Sequence, residues 1–382
     1  MELQKLNEIE KEIHNISFLK KDLKDNKKVV LFLGAGVNYS PNVDIMWNDI
    51  LKFLLDKAFG QIIFGRKMSS LDYNLLRKSL GLEYSLPDEN KIDEGQWKKV
   101  VSIINSEFPY IVQASIIKDK LKNNYASFIQ HFLYSRCNRN ILEDAFEKCY
   151  SLKKKEEVCN LKFHTLYRIA KFIILYPYVE AVVTYNYDNF LKYAIRILLE
   201  HKNDFFTEDE LKYIEHNEVR LKNIYDVTGT GKNKSCGKDD FLIYHVHGFI
   251  EPPTYRDIVS DNRIILSQDE FYENSMNVYS WENATQLHYL KNYTCIFAGS
   301  SLTDMTVQRM LYYAKQYGSG NNIYHLCAQP NTEECKDYKN IVNELAMLKN
   351  EFNITMGITP VFSNKGFDSL YEYLSEICIN LK

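Results

Sequence analysis

The residues of this chain best suited to chemistry lie in four short stretches: GAG (34–36), TYNYD (184–188), HVHG (245–248) and GSSL (299–302). Gly34, Ala35 and Gly36 follow the apolar run VVLFL at 29–33. A buried strand running into a Gly-rich turn brings backbone amides to a helix N-terminus, which favours a phosphate. The third glycine of the full dinucleotide fingerprint is missing, because Tyr39 stands in its place. A tight turn without a ligand therefore explains this stretch about as well. In the second stretch, Thr184, Asn186 and Asp188, with Asn189 after them, leave another apolar run. The Asn186 carboxamide both donates and accepts, which suits ribose hydroxyls or an amide, and Asp188 can accept from a carboxamide NH₂. Helix capping is the plain alternative for one of these residues.

Read as a strand, the third stretch puts His245 and His247 on one face, with His247 nearer the carboxyl end beside Gly248. Neighbouring sequence supplies no carboxylate or cysteine to complete a metal site. A strand-end histidine beside glycine suits a general base. A hydrogen-bonded core histidine is a better description of His245 than of His247. In the fourth stretch Gly299, Ser300 and Ser301 offer small groups and hydroxyls to ribose or phosphate, and Asp304 follows. Serine and threonine are also ordinary helix caps.

Strands that end together must position these turns, since ligands of open α/β sheets sit beyond the carboxyl ends of strands. Apolar runs alternate with helical patterns from EAVVTYNYDNF onward, through FLIYHVHG, NRIILS, YTCIFAGSSL, NIYHLCA and ITPVFS. This alternation predicts a Rossmann-like α/β fold, a parallel sheet with helices on both faces. Residues 1–28 read as an amphipathic helix, with Leu6, Ile9, Ile13, Ile16, Leu19 and Leu23 at helical spacing, used in packing or self-association. Residues 29–59 and 179–382 read as the nucleotide-binding domain. Residues 60–178 show helical pieces without strand alternation and read as a large helical insertion. Residues 201–240 read as a charged, variable stretch ending in the loop TGTGKNKSCGKDD.

The composition narrows the classes. The chain has 382 residues, 45% hydrophobic and 25% charged, with a formal charge of −3. That balance supplies no broad basic field to collect nucleic acid. No apolar run reaches the length of a membrane span, and the charged N-terminus lacks a signal-peptide core. A cytoplasmic protein is expected. The eight cysteines are scattered, with no C-x-x-C pair, which argues against both a disulfide framework and a four-cysteine zinc site. No metal is expected.

Taken in order, GAG, TYNYD, HVHG and GSSL resemble the sirtuin superfamily. The resemblance is greatest to its bacterial antiphage branch of NAD hydrolases, as in Thoeris effectors and the sirtuin-like partners of HerA-type ATPases. The resemblance implies that Gly34, Ala35 and Gly36 hold the dinucleotide phosphates. It makes Asn186 catalytic at the nicotinamide ribose and His247 the catalytic base, and has Asp188 help place the carboxamide. Thr184 falls in the same binding turn, and Gly299, Ser300 and Ser301 contact the adenosine half. Trp47 matches a tryptophan common after the first turn in the bacterial branch. Asn38 replaces the serine of GAGIS, NVDIMW replaces the Pro-Asp-Phe-Arg segment, and the two C-x-x-C pairs of deacylating sirtuins are absent. These departures weaken a deacylase reading and leave an NAD-cleaving core.

The implied activity is an NAD⁺ glycohydrolase that releases nicotinamide and ADP-ribose and depletes NAD in abortive infection. The implied partners are NAD⁺ itself, a second copy of the chain in a homo-oligomer, and a HerA-type ATPase or another phage-sensing protein. Two other classes stay open. One is a regulatory subunit that senses NAD or ADP-ribose without turnover; the other is a protein deacylase or ADP-ribosyltransferase.

Overall fold

The computed structural model of the chain describes residues 13–65, 104, 107–151, 161–229, 240–253, 264–316, 322–328, 339–363 and 367–377. The parallel sheet is built from β2 (Val29–Leu33), β3 (Val179–Thr184), β4 (Ile224–Val227), β5 (Phe241–His245), β6 (Thr294–Ala298), β7 (Ile323–Ala328) and β8 (Thr359–Ser363). A two-residue strand, β1 (Ile13–His14), adds antiparallel to the β8 edge. The spatial order is β1-β8-β7-β6-β2-β3-β5-β4. β2 therefore lies at the centre, with β3 on one side and β6 on the other. The strand order reverses there, and the crevice beyond the carboxyl ends of β2, β3 and β6 is where such a sheet takes a ligand. This is the expected Rossmann-like α/β arrangement.

The central strands are apolar throughout because both of their faces are covered. Val29, Leu31 and Leu33 point into one core, whereas Val30 and Phe32 point into the other. Helices α10 (Trp281–Asn292) and α11 (Met305–Gln316) cover the second face through Leu290, Val307, Met310 and Leu311. The first face carries the larger core. It takes in α1 (Ile16–Lys24), α2 (Trp47–Gly65), α3 (Tyr110–Leu121), α4 (Tyr125–Arg136), α5 (Arg139–Ser151), α6 (His164–Leu175) and α7 (Phe190–Glu200). Every residue of α6 except Arg168 is buried, because it runs between α7 and α12 (Phe367–Ile377). The enclosed helix keeps one buried cation, Lys171, which pairs with Glu210 at 2.7 Å. Ile117, Phe132 and Phe146 share one continuous core with Val29 and Leu31, so the described helices over 110–151 pack as part of the same body.

Three local expectations are corrected. Within 1–28 the described helix is α1, and Ile13 belongs to β1; Asn15, in a left-handed conformation, separates the two. Residues 1–12 lie outside the described part. The stretch 201–240 holds α8 (Glu208–Leu221), started by a Thr207–Glu210 capping box, and then β4. Most of TGTGKNKSCGKDD lies outside the described residues. The run NRIILS does not form a strand over its described part, 264–267. β5 is already paired with β3 on one side and β4 on the other, which leaves no edge for it. Instead, the Ile265 amide donates to the His247 carbonyl at 2.8 Å. Among the described residues, no helix is long and apolar enough to cross a membrane.

Candidate functional site

Parallel register brings the second and third motifs side by side. Thr184 pairs with His245, and Asn186 and His247 each follow two residues later. β5 ends at His245, and a turn at 246–247 leads to Gly248 with φ +97°. The two histidines therefore do not share one strand face. The His245 ring faces Asp226 and the Asn186 carbonyl, whereas the His247 ring packs edge-on against Tyr185 and Phe271.

The first and fourth motifs form one unit. The Gly36 amide donates to the Gly299 carbonyl at 2.8 Å, and the Gly34 amide to the Ala298 carbonyl at 3.0 Å. A Cβ on Gly34 would stand 2.6 Å from the Gly299 oxygen, and one on Gly36 would stand 2.8 Å from the Gly299 Cα. Close approach of the two turns is thus what requires glycine at 34 and 36. Ala35 opens the single 3₁₀ turn that ends at Asn38. The Gly299 amide in turn donates to the Tyr371 hydroxyl, and the His325 ring lies 2.8 Å from the Ser300 carbonyl. The Ser300 hydroxyl accepts from the Leu302 amide, and the Ser301 hydroxyl bonds to Thr303.

Asn186 and Thr184 tie the first two motifs together. The Asn186 side-chain amide donates to the Gly34 carbonyl at 3.2 Å. The Thr184 hydroxyl donates to the Leu33 carbonyl and accepts from the Asn186 amide. Asp188 is buried: one carboxylate oxygen accepts from the Phe190 amide at the start of α7, and the other accepts from the Asn38 side chain at 2.8 Å. Asn189 is the N-cap of α7 and makes no side-chain cap bond, so Asp188 bonds the first helical amide from one residue further out, and Asn38 ties it to the first turn. Burial pushes the Asp188 carboxyl up to about 6, against the lowering effect of the Phe190 amide, His245 and Asn38. Trp47, at the start of α2, meets Tyr187 edge-on at 5.4 Å.

A chain of polar contacts lies behind Asn186. Lys192 on α7 pairs with Asp226 at 2.7 Å, Asp226 bonds His245 at 3.0 Å, and His245 lies 3.0 Å from the Asn186 carbonyl. Burial alone would raise the Asp226 carboxyl; His245 and Lys192 outweigh it and hold the group below the usual range. Asn38, Thr184, Asn186, Asp188, Lys192, Asp226 and His245 line a small cavity here.

His247 is only 4% exposed, and among the described residues its buried Nε2 has no hydrogen-bond partner. The Asp304 carboxylate stands 3.6 Å away, longer than a hydrogen bond. Burial lowers the basicity of this imidazole, and Asp304 and Glu282 only partly restore it. A buried, mostly neutral ring with a free nitrogen is equipped to take a proton. Among the described residues, no group of three or more His, Cys, Asp or Glu side chains is placed to hold a metal ion.

Asp226, Lys192, His325 and Tyr371 were not legible as site residues in the sequence. Each supports a motif from another strand or helix, so only the tertiary register reveals it.

No curated protein matches the chain. Residues 180–350 match the family model described as a SIR2-like domain. The match takes in the turns after β3, β5 and β6, and hence Asn186, His247 and Gly299. Over residues 180–350, then, the part of the sheet that carries these three turns is similar to a SIR2-like domain.

Proposed function

We propose that this protein hydrolyses NAD⁺ at the nicotinamide–ribose bond. The observation that carries the reading is the buried, unpartnered Nε2 of His247 on the same SIR2-like strand ends as Asn186. The two lie at equivalent positions past the Thr184–His245 pair, and Asn186 follows β3, which flanks the point where the strand order reverses. Nicotinamide in NAD⁺ is a cationic leaving group. When its bond to ribose breaks, the bonding electrons neutralise the pyridinium ring, and water adds to the exposed carbon. His247 takes the proton that the water loses and releases it to solvent, and Asn186 orients the ribose and the water. The products are nicotinamide, ADP-ribose and one proton. Binding energy from the phosphates and adenosine, held at the joined 34–36 and 299–301 turns, keeps the reacting bond in place.

Unregulated loss of NAD would harm the cell that makes this enzyme. We therefore assign it a role in cytoplasmic antiphage defence, with activity gated by self-association or by a phage-sensing partner such as a HerA-type ATPase. Incubation of the purified protein with NAD⁺, followed by chromatography of nicotinamide and ADP-ribose, tests the chemistry. Asn186→Ala and His247→Ala should each lower the rate by about 100-fold or more. Equal rates in wild type and both variants would refute the site. Tight NAD⁺ binding with no product, alone or with the partner, would favour the sensor, and modified protein would favour the transferase.

A further inference from the structure

The contacts of His247 leave one charged neighbour unexplained. Asp304 is placed by its own backbone environment: one carboxylate oxygen accepts from the Thr306 amide at 2.7 Å, at the start of α11. The other oxygen is the one that stands 3.6 Å from His247 Nε2. Capping needs only the first oxygen, so it does not account for the direction of the second. The imidazole packs against Tyr185, just after β3, and Phe271 on α9 (Gln268–Met276), while the Ile265 amide holds the His247 backbone carbonyl. Glu282 on α10 also acts on the ring, but less strongly than Asp304. The Asp304 side chain keeps 26% of its surface exposed, so the carboxylate spans the distance between the buried ring and solvent.

We propose that Asp304 is the positioning residue for His247, fixing the imidazole and supporting its positive charge once it has taken a proton. This rests on the reading of His247 as the base. Once the ring is protonated, the pair becomes an ion pair that closes to a charge-assisted hydrogen bond. The Thr306 amide holds the carboxylate in line without competing for the second oxygen. Among the described residues, a protonated imidazole buried between Tyr185 and Phe271 would otherwise lack a counter-charge at contact distance.

The test is Asp304→Asn in the full chain, which keeps an oxygen for the Thr306 amide and removes the charge. Imidazole resonances of labelled histidine are titrated by NMR in wild type and variant, with His247→Gln assigning the His247 signal. The His247 midpoint should fall by about one pH unit in D304N, because an opposite charge at this range favours the protonated form. The acid limb of kcat/KM should move to lower pH by the same amount, with kcat reduced roughly tenfold. KM should stay within about twofold. Asp304→Glu should restore the midpoint and part of the rate. An unchanged His247 midpoint in a D304N protein whose thermal melt is cooperative would overturn the pairing. Should wild type release no nicotinamide, the hydrolase reading fails, and the titration still decides whether Asp304 supports His247.

Discussion

The Nδ1 of His245 lies 3.0 Å from the backbone carbonyl of Asn186, while its Nε2 lies 3.0 Å from the Asp226 carboxylate. Both partners are acceptors, and the ring is 1% exposed, so it serves as a fixed link between β4 and the turn after β3. Replacing it by Phe keeps the volume but removes the partner of two partly buried acceptors, although Lys192 still pairs with Asp226. His245→Phe should cost about 1–3 kcal/mol of stability, read from urea unfolding. Nicotinamide release should fall with it, because the Asn186 backbone loses a tether.

Gly299 tests the joined turns. Its φ is +64°, and an added Cβ would stand 2.3 Å from the Val37 amide nitrogen and 2.8 Å from the Gly36 carbonyl carbon. Both atoms are backbone, so neither can swing aside. Gly299→Ala should destabilise by at least roughly 1–3 kcal/mol, the scale of backbone strain alone. It should also weaken NAD⁺ binding measured by calorimetry. Gly229→Ala, where a Cβ would meet nothing within 4 Å among the described residues, should leave both unchanged.

Asp188 makes stability depend on pH in an unusual direction. Its folded-state value of about 6 lies above the ordinary 3.8, so the folded chain binds this proton more tightly than the unfolded chain. The contribution is fully present below about pH 4 and is lost as pH rises through 6. The gap of about two units corresponds to roughly 3 kcal/mol. Asp188→Asn cannot ionise and still offers an oxygen to the Phe190 amide. The stability of wild type relative to this variant, from melts between pH 4 and pH 7, should fall by that order. A difference that stays flat with pH would contradict the assignment.

Much of the sheet was legible because strands covered on both faces must be apolar throughout. VVLFL, EAVVT, TCIFA and IYHLC announce themselves that way, and they form β2, β3, β6 and β7. IYDV did not, because β4 is a short edge strand with Tyr225 exposed and Asp226 only partly buried. NRIILS misled for the opposite reason. Apolar residues need burial, and Ile264, Ile265 and Leu266 obtain it under the His247 turn and not in a ladder.

The sequence by itself determined the residue types at the four turns and the alternation that sets strand ends beside one another. It also carried the glycines at 34, 36 and 299, although their reason is the close approach of two turns. Only the tertiary structure decided which histidine does what. Two residues apart on an unbroken strand, His245 and His247 would point the same way. The turn ending at Gly248 sends one to Asp226 and the other to Asp304. Asp226 and Asp304 reach those rings from 19 and 57 residues away, through β4 pairing and the start of α11. Local spacing encodes which side chains are available. Their partners depend on register and chain reversal, which arise only when distant segments pack.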